Sequence, residues 1–116
     1  MGNYIEAGKT SEFEDGTKKK VLVQGTEIML AKVGGSYFAI GNRCAHMGGD
    51  LSAGKLEGTI ITCPRHGSQY DIRDGQVLRW MKGSGLMAAA GKILKSPRGV
   101  PSYKVRVEGD IISVEV

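Results

Sequence analysis

Every cysteine and every histidine of the chain falls in one of two short pairs, Cys44-Ala45-His46 and Cys63-Pro64-Arg65-His66, with 16 residues between them. Core-filling cysteines or surface histidines would have no reason to pair in this way. A fold that uses both pairs must bring two turn-rich loops to one point, which leaves room only for short elements between them. Thiolate and imidazole together suit zinc, copper or iron–sulfur chemistry rather than calcium or magnesium. A blue-copper site takes two His, one Cys and often an axial Met. Met47 is present, but a second Cys would then be idle. A closed Cys2His2 zinc site is chemically reasonable and would be structural, having no open position. Against it, zinc pairs usually separate their ligands by two or more residues, whereas one residue separates Cys44 from His46. A mixed-ligand [2Fe-2S] centre needs two thiolates on one iron and two imidazoles on the other, and two loops that each offer one Cys and one His meet that demand. On spacing alone, zinc and the cluster both stand.

The remainder of the chain reads as strands. At 116 residues it is expected to form a single domain, residues 1–116, with one core. Residues 20–23, 27–33 and 36–40, separated by Gln24-Gly25-Thr26 and Gly34-Gly35, predict a three-stranded meander. Residues 56–57 and 59–61 flank Gly58, residues 69–72 and 76–78 flank Asp74-Gly75, and residues 103–108 and 111–116 flank Gly109-Asp110. Such pairs of runs around glycine-containing turns are hairpin signals. Tyr103, Val105 and Val107 alternate with Lys104, Arg106 and Glu108, the pattern of a strand buried on one face. The fold class is therefore all-β, a small sandwich or barrel. Lys18-Lys19-Lys20 is read as a solvated turn entering an edge strand. Residues 86–94 are the one segment read as a short helix, inside a basic stretch, residues 79–98, that contains no acidic residue.

Several function classes are set aside. No stretch approaches the roughly 20 apolar residues of a membrane span, and residues 1–6 carry neither an export signal nor a lipidation pattern. The expected location is the cytoplasm, where cysteines are more often metal ligands than disulfides. A net charge of +4 is too mild to argue for nucleic-acid binding.

The two pairs resemble the ligand motifs of the Rieske iron–sulfur proteins: Cys-x-His, a gap of similar length, then Cys-x-x-His. Gly48 after His46-Met47, the Cys63-Pro64-Arg65-His66-Gly67 turn, and Tyr70-Asp71 followed by Asp74-Gly75 extend the likeness. It has motif strength over residues 36–78 and holds by pattern only in the flanking strands. The resemblance implies a β-sandwich or barrel base carrying an inserted two-loop cluster-binding subdomain, about residues 43–70. It implies a Rieske [2Fe-2S] cluster with Cys44 and Cys63 on the buried iron and His46 and His66 on the outer one. It also places Ser68 and Tyr70 where high-potential Rieske proteins of respiratory type have a Ser bonding a bridging sulfide and a Tyr bonding the first-loop cysteine sulfur. Unlike the respiratory subunits, this sequence has no additional cysteine in either loop. Met47 and Arg65 occupy those neighbourhoods, Met47 as an apolar cover and Arg65 as a positive charge near the surface.

The function implied is that of a soluble, monomeric one-electron carrier between a reductase and a redox enzyme such as a terminal oxygenase, with no nucleic-acid partner and no membrane anchor. It is not itself an enzyme, because an oxygenase subunit needs a further two-His, one-carboxylate iron site and no histidine remains to build one. Two alternatives stay open: a Rieske-like small subunit of a larger oxidoreductase of nitrite or arsenite type, and a zinc-stabilised binding module that docks an acidic or nucleic-acid partner through residues 79–98.

Overall fold

The computed structural model describes residues 3–44, 48–65, 67–79 and 99–116. Eleven strands are present among them: β1 (Tyr4–Lys9), β2 (Thr17–Val23), β3 (Thr26–Val33), β4 (Ser36–Gly41), β5 (Lys55–Glu57), β6 (Ile60–Thr62), β7 (Gln69–Asp71), β8 (Val77–Arg79), β9 (Ser102–Tyr103), β10 (Val105–Glu108) and β11 (Ile111–Glu115). Two single-turn 3-10 segments, Thr10–Glu12 and Leu51–Ala53, complete the regular structure. The strands form three antiparallel sheets, ordered β2-β3-β4-β9, β1-β11-β10 and β5-β6-β7-β8. The all-β expectation and the meander are borne out.

Local chemistry explains the meander. Gln24 and Gly25 both have positive φ, 49° and 81°, the requirement of a two-residue hairpin turn whose twist matches that of its strands. The pairing Val23↔Thr26 follows directly. In the next strand four successive residues, Ile28, Met29, Leu30 and Ala31, are fully buried. Successive side chains in a strand point to opposite faces, so β3 is covered on both. Ile28 and Leu30 pack with Phe13, Val23, Ala39, Ile112 and Val114, the core shared with the β1-β11-β10 sheet. Met29 and Ala31 pack with Ile40, Leu51, Ile61, Tyr70 and Ile72, together with Cys44 and Cys63. The meander is thus the middle layer, and the two cysteines belong to the core on one side of it.

The structure departs from expectation at several places. Residues 103–108 form two strands rather than one. Tyr103 pairs with Ala39 of the meander and Val105 with Val114 of the other sheet, so the chain changes sheets at Lys104, as strands at sandwich corners do. Val107 is 42% exposed, because β10 is an edge strand. The first strand, β1, carries weak alternation interrupted by Ala7-Gly8 and was not expected; the register slips between Glu6 and Gly8. Lys18, Lys19 and Lys20 lie within β2 rather than in a turn before it. They stand on an edge strand, where charge discourages edge-to-edge association, and Lys19 and Lys20 pair with Glu12 and Asp50. The proposed helix at 86–94 lies outside the described residues.

Ile112 is fully buried in the core remote from the cysteines. Truncation in such a position removes transfer free energy and leaves a void, so Ile112→Ala is expected to cost about 2–5 kcal/mol of folding stability. A fall in the unfolding midpoint with an unaltered visible spectrum at room temperature is the expected outcome.

Candidate metal centre

Cys44 follows β4, and Cys63 follows β6. Both thiols are buried and neither is in a disulfide. The two loops they open share one backbone design. In the first, Cys44 N–H donates to Gly49 O at 2.8 Å and Gly48 N–H donates to Cys44 O at 2.7 Å. In the second, Cys63 N–H donates to Ser68 O at 2.7 Å and Gly67 N–H donates to Cys63 O at 3.1 Å. Each cysteine is therefore bonded at its carbonyl by the residue four places on and at its amide by the residue five places on. Gly48 and Gly67 have φ of 71° and 78°, and only glycine takes that conformation without strain.

The loops also touch. A Cβ on Gly49 would stand 2.7 Å from Cys63 Sγ and 3.0 Å from Arg65 Cδ, so the first loop can lie against the second only as bare backbone. Arg65 is exposed, and its aliphatic stem lies along this contact. Tyr70 reaches the other cysteine from β7, with its hydroxyl 3.2 Å from Cys44 Sγ. Both Tyr70 and Ser68 are fully buried. An arginine meets each loop at its left-handed glycine. Arg43 Nη1 donates to Gly48 O at 3.3 Å, and Arg79 donates to Gly67 O through Nε and Nη2 at 3.0 and 2.9 Å.

The base of the first loop is a polar network. Buried Asn42 donates from Nδ2 to Asp50 Oδ1 at 2.8 Å and accepts Ser52 N–H at 2.9 Å. Asp50 also accepts from the Ser52 amide and hydroxyl, at 3.1 and 2.6 Å. It thereby caps the 3-10 turn Leu51–Ala53, whose Leu51 is buried in the cysteine-side core. These bonds from Ser52 and Asn42, with Lys20, hold the Asp50 carboxyl down at about 2 against the cost of its partial burial. On the far hairpin, Arg73 grips Asp71 through both carboxylate oxygens and lowers its pKa.

Of the sequence-derived site residues, Cys44, Cys63, Ser68 and Tyr70 come together beneath the loops, while His46, His66 and Met47 lie outside the described residues. Sequence reasoning passed over Asn42, Arg43, Asp50, Ser52 and Arg79. Asp50-Leu51-Ser52 carries a local capping signal, but nothing local marks an arginine that reaches a carbonyl 12 residues away, as Arg79 does.

The donor set suits an iron–sulfur cluster. Two buried thiols stand on matched loops, a hydroxyl is directed at one sulfur, and a contact at the other sulfur admits no side chain. The Rieske [2Fe-2S] domain model matches residues 3–103, and the chain belongs to that family. Its cofactor is a Rieske-type [2Fe-2S] cluster, which sets aside the zinc alternative. Over 75 residues the chain is 37% identical to the ferredoxin component of the naphthalene 1,2-dioxygenase system of Pseudomonas putida, covering 65% of this chain and 72% of that one. The corresponding component from Pseudomonas aeruginosa is 28% identical over 115 residues, 97% of this chain and 95% of its own. Among solved structures, the ferredoxin of carbazole 1,9a-dioxygenase from Nocardioides aromaticivorans IC177 superposes with a TM-score of 0.79 at 25% identity, covering 97% of this chain and 96% of that one.

Asp50 has a folded pKa of about 2, below its ordinary 3.8. A depressed carboxyl contributes stability that is present above the ordinary pKa and is lost as pH falls through the folded one. Wild type should therefore exceed Asp50→Asn in unfolding temperature at neutral pH. The difference should narrow between about pH 4 and pH 2, as measured by thermal unfolding across that range.

Proposed function

We propose that this protein is a one-electron carrier whose [2Fe-2S] cluster is held by Cys44 and Cys63 on the buried iron and by His46 and His66 on the outer one. The observation that carries the reading is the pair of matched loops, each opening on a buried cysteine and each containing one of the chain's two histidines. When bound, the cluster supplies a reversible one-electron couple at a potential between about -150 and +300 mV. What the chain adds is position, dryness and charge. Leu51, Ile61, Ile72 and Val100 keep water from the cysteine side. The Tyr70 hydroxyl is 3.2 Å from Cys44 Sγ, where it would donate to a cluster-bound thiolate, and Ser68 lies buried in the second loop; donors to sulfur favour the more negative, reduced state. Both residues therefore raise the potential above the bottom of that range.

The partners fitting this reading are a reductase on one side and a terminal oxygenase on the other. The relatives are named as ferredoxin components of dioxygenase systems, and one solved relative is a ferredoxin in complex with its oxygenase. The likeness runs over 96% of the solved carbazole-dioxygenase ferredoxin but over 30% of a terminal oxygenase chain of the same system, which favours a carrier over a catalytic subunit. We place the protein in the cytoplasm as a monomeric single domain, with the cluster-binding part inserted at about residues 43–70. Among the described residues, no helix is long and apolar enough to cross a membrane.

Visible absorption and EPR before and after dithionite test the proposal. The expected result is a reduced signal with the lowered average g value of mixed His and Cys ligation, lost in His46→Ala and in His66→Ala. A colourless protein after iron-replete expression would overturn it. Tyr70→Phe keeps the ring and removes the hydroxyl, so its midpoint potential should fall below that of wild type. An unchanged potential would remove Tyr70 from the tuning set.

A further inference from the structure

The two loop arginines are alike in position and unlike in charge environment. Arg43 is on the exposed side of the first loop; its Nη1 bonds Gly48 O at 3.3 Å while its Nη2 forms a 2.9 Å ion pair with Glu27 on β3. The Glu27 carboxyl is held below its usual pKa chiefly by that bond and so stays ionised. The pair carries no net charge. Arg79 is half-buried at the end of β8 and directs two donors of one guanidinium at Gly67 O, at 3.0 and 2.9 Å. Among the described residues no carboxylate forms an ion pair with it, and residues 80–98, which follow it, contain no acidic residue. Gly67 is the residue after His66 and the fourth after Cys63.

From this asymmetry we propose that Arg79 is a positioning residue of the second loop and the source of an uncompensated positive charge that favours the reduced cluster, while Arg43 tethers the first loop by a single bond with its charge cancelled by Glu27. The inference rests on the ligand assignment of the preceding section. Two donors on one carbonyl fix the orientation of the Gly67–Ser68 peptide where a single bond would leave it free to rock. A guanidinium is charged at every accessible pH. A fixed positive charge stabilises added negative charge nearby, and half-burial limits how far solvent ions screen it. That charge lifts the potential. The first loop receives one tether and no net charge.

The test is the midpoint potential, with EPR of the reduced protein, for wild type, Arg79→Gln, Arg79→Lys, Arg43→Gln and Glu27→Gln at low ionic strength. Arg79→Gln is expected to lower the equilibrium constant for reduction by at least about threefold, which at about 59 mV per tenfold for one electron is a fall of about 28 mV, with g values unchanged. Arg79→Lys, keeping the charge, should stay within that bound. Arg43→Gln should shift the potential by less than Arg79→Gln, and Glu27→Gln, which frees the Arg43 charge, should raise it. A purely structural arginine would alter stability and leave the potential in place. An unmoved potential in Arg79→Gln, or an unmoved or lowered one in Glu27→Gln, overturns the proposal. If Arg79→Gln does not retain its cluster, Arg79→Lys decides: retention at the wild-type potential supports the assignment, and loss overturns the charge role. A wild-type protein without the Rieske EPR signal would instead refute the ligand assignment itself.

Discussion

The burial of β3 on both faces is the constraint from which the rest of the molecule follows. A strand that buries four consecutive residues, Ile28 to Ala31, needs an apolar layer above it and another below. The β1-β11-β10 sheet supplies one through Ile112 and Val114, and the β5–β8 sheet with its loops supplies the other through Leu51, Ile61, Tyr70 and Ile72. Interiors pack at crystal-like density, so the second layer must sit at a defined height and angle on the meander. Cys44 and Cys63 are members of that layer. Their positions are set by the same apolar contacts that stabilise the fold.

On that platform, the ligand loops need little machinery of their own. Each is a short excursion closed by two backbone hydrogen bonds around a cysteine, turned by a left-handed glycine and held at that glycine's carbonyl by an arginine. Repeating one device explains how two loops from different strand junctions present their cysteines at matching depth. The loops differ where the sequence differs, with the histidine two residues after Cys44 and three after Cys63. They differ again in how they are tied down. The first rests on the Asn42-Asp50-Ser52 network and the second on β8.

Much of this was legible in residues with local signatures. Gln24-Gly25 and Gly109-Asp110 announce tight turns, and the Val and Ile runs beside them announce strands. The Cys-x-His and Cys-x-x-His pairs, being all the cysteines and histidines present, reveal the chemistry. What stayed hidden depends on contacts distant in sequence. The change of sheet at Lys104 leaves no mark in an alternation that runs unbroken from Tyr103 to Val107, because it is imposed by β4 on one side and β11 on the other. The first strand is recruited by β11, almost the whole chain away, and its Ala7-Gly8 step would not propagate a strand unaided. Arg43, Asp50 and Arg79 look like ordinary surface charges until the fold places them beside a loop carbonyl or a buried amide.

On the proposed assignment, the arrangement also separates what stabilises the protein from what sets its redox character. Exposed ion pairs such as Lys55–Glu57 and Arg106–Glu108, with side chains more than half exposed, contribute little energy and are screened by salt. The polar groups nearest the cysteines are in another regime. Tyr70 and Ser68 are buried, and Arg79 is partly so. In a medium of low effective dielectric their fields are felt over several ångströms. An added electron is a unit change in charge beside these groups. On the proposed assignment, a hydroxyl at one sulfur and a guanidinium on the loop peptide act on the couple more strongly than charges remote from the loops. On that assignment, changes in the few buried polar groups under the loops alter the potential directly, whereas loss of a remote, exposed ion pair leaves it in place.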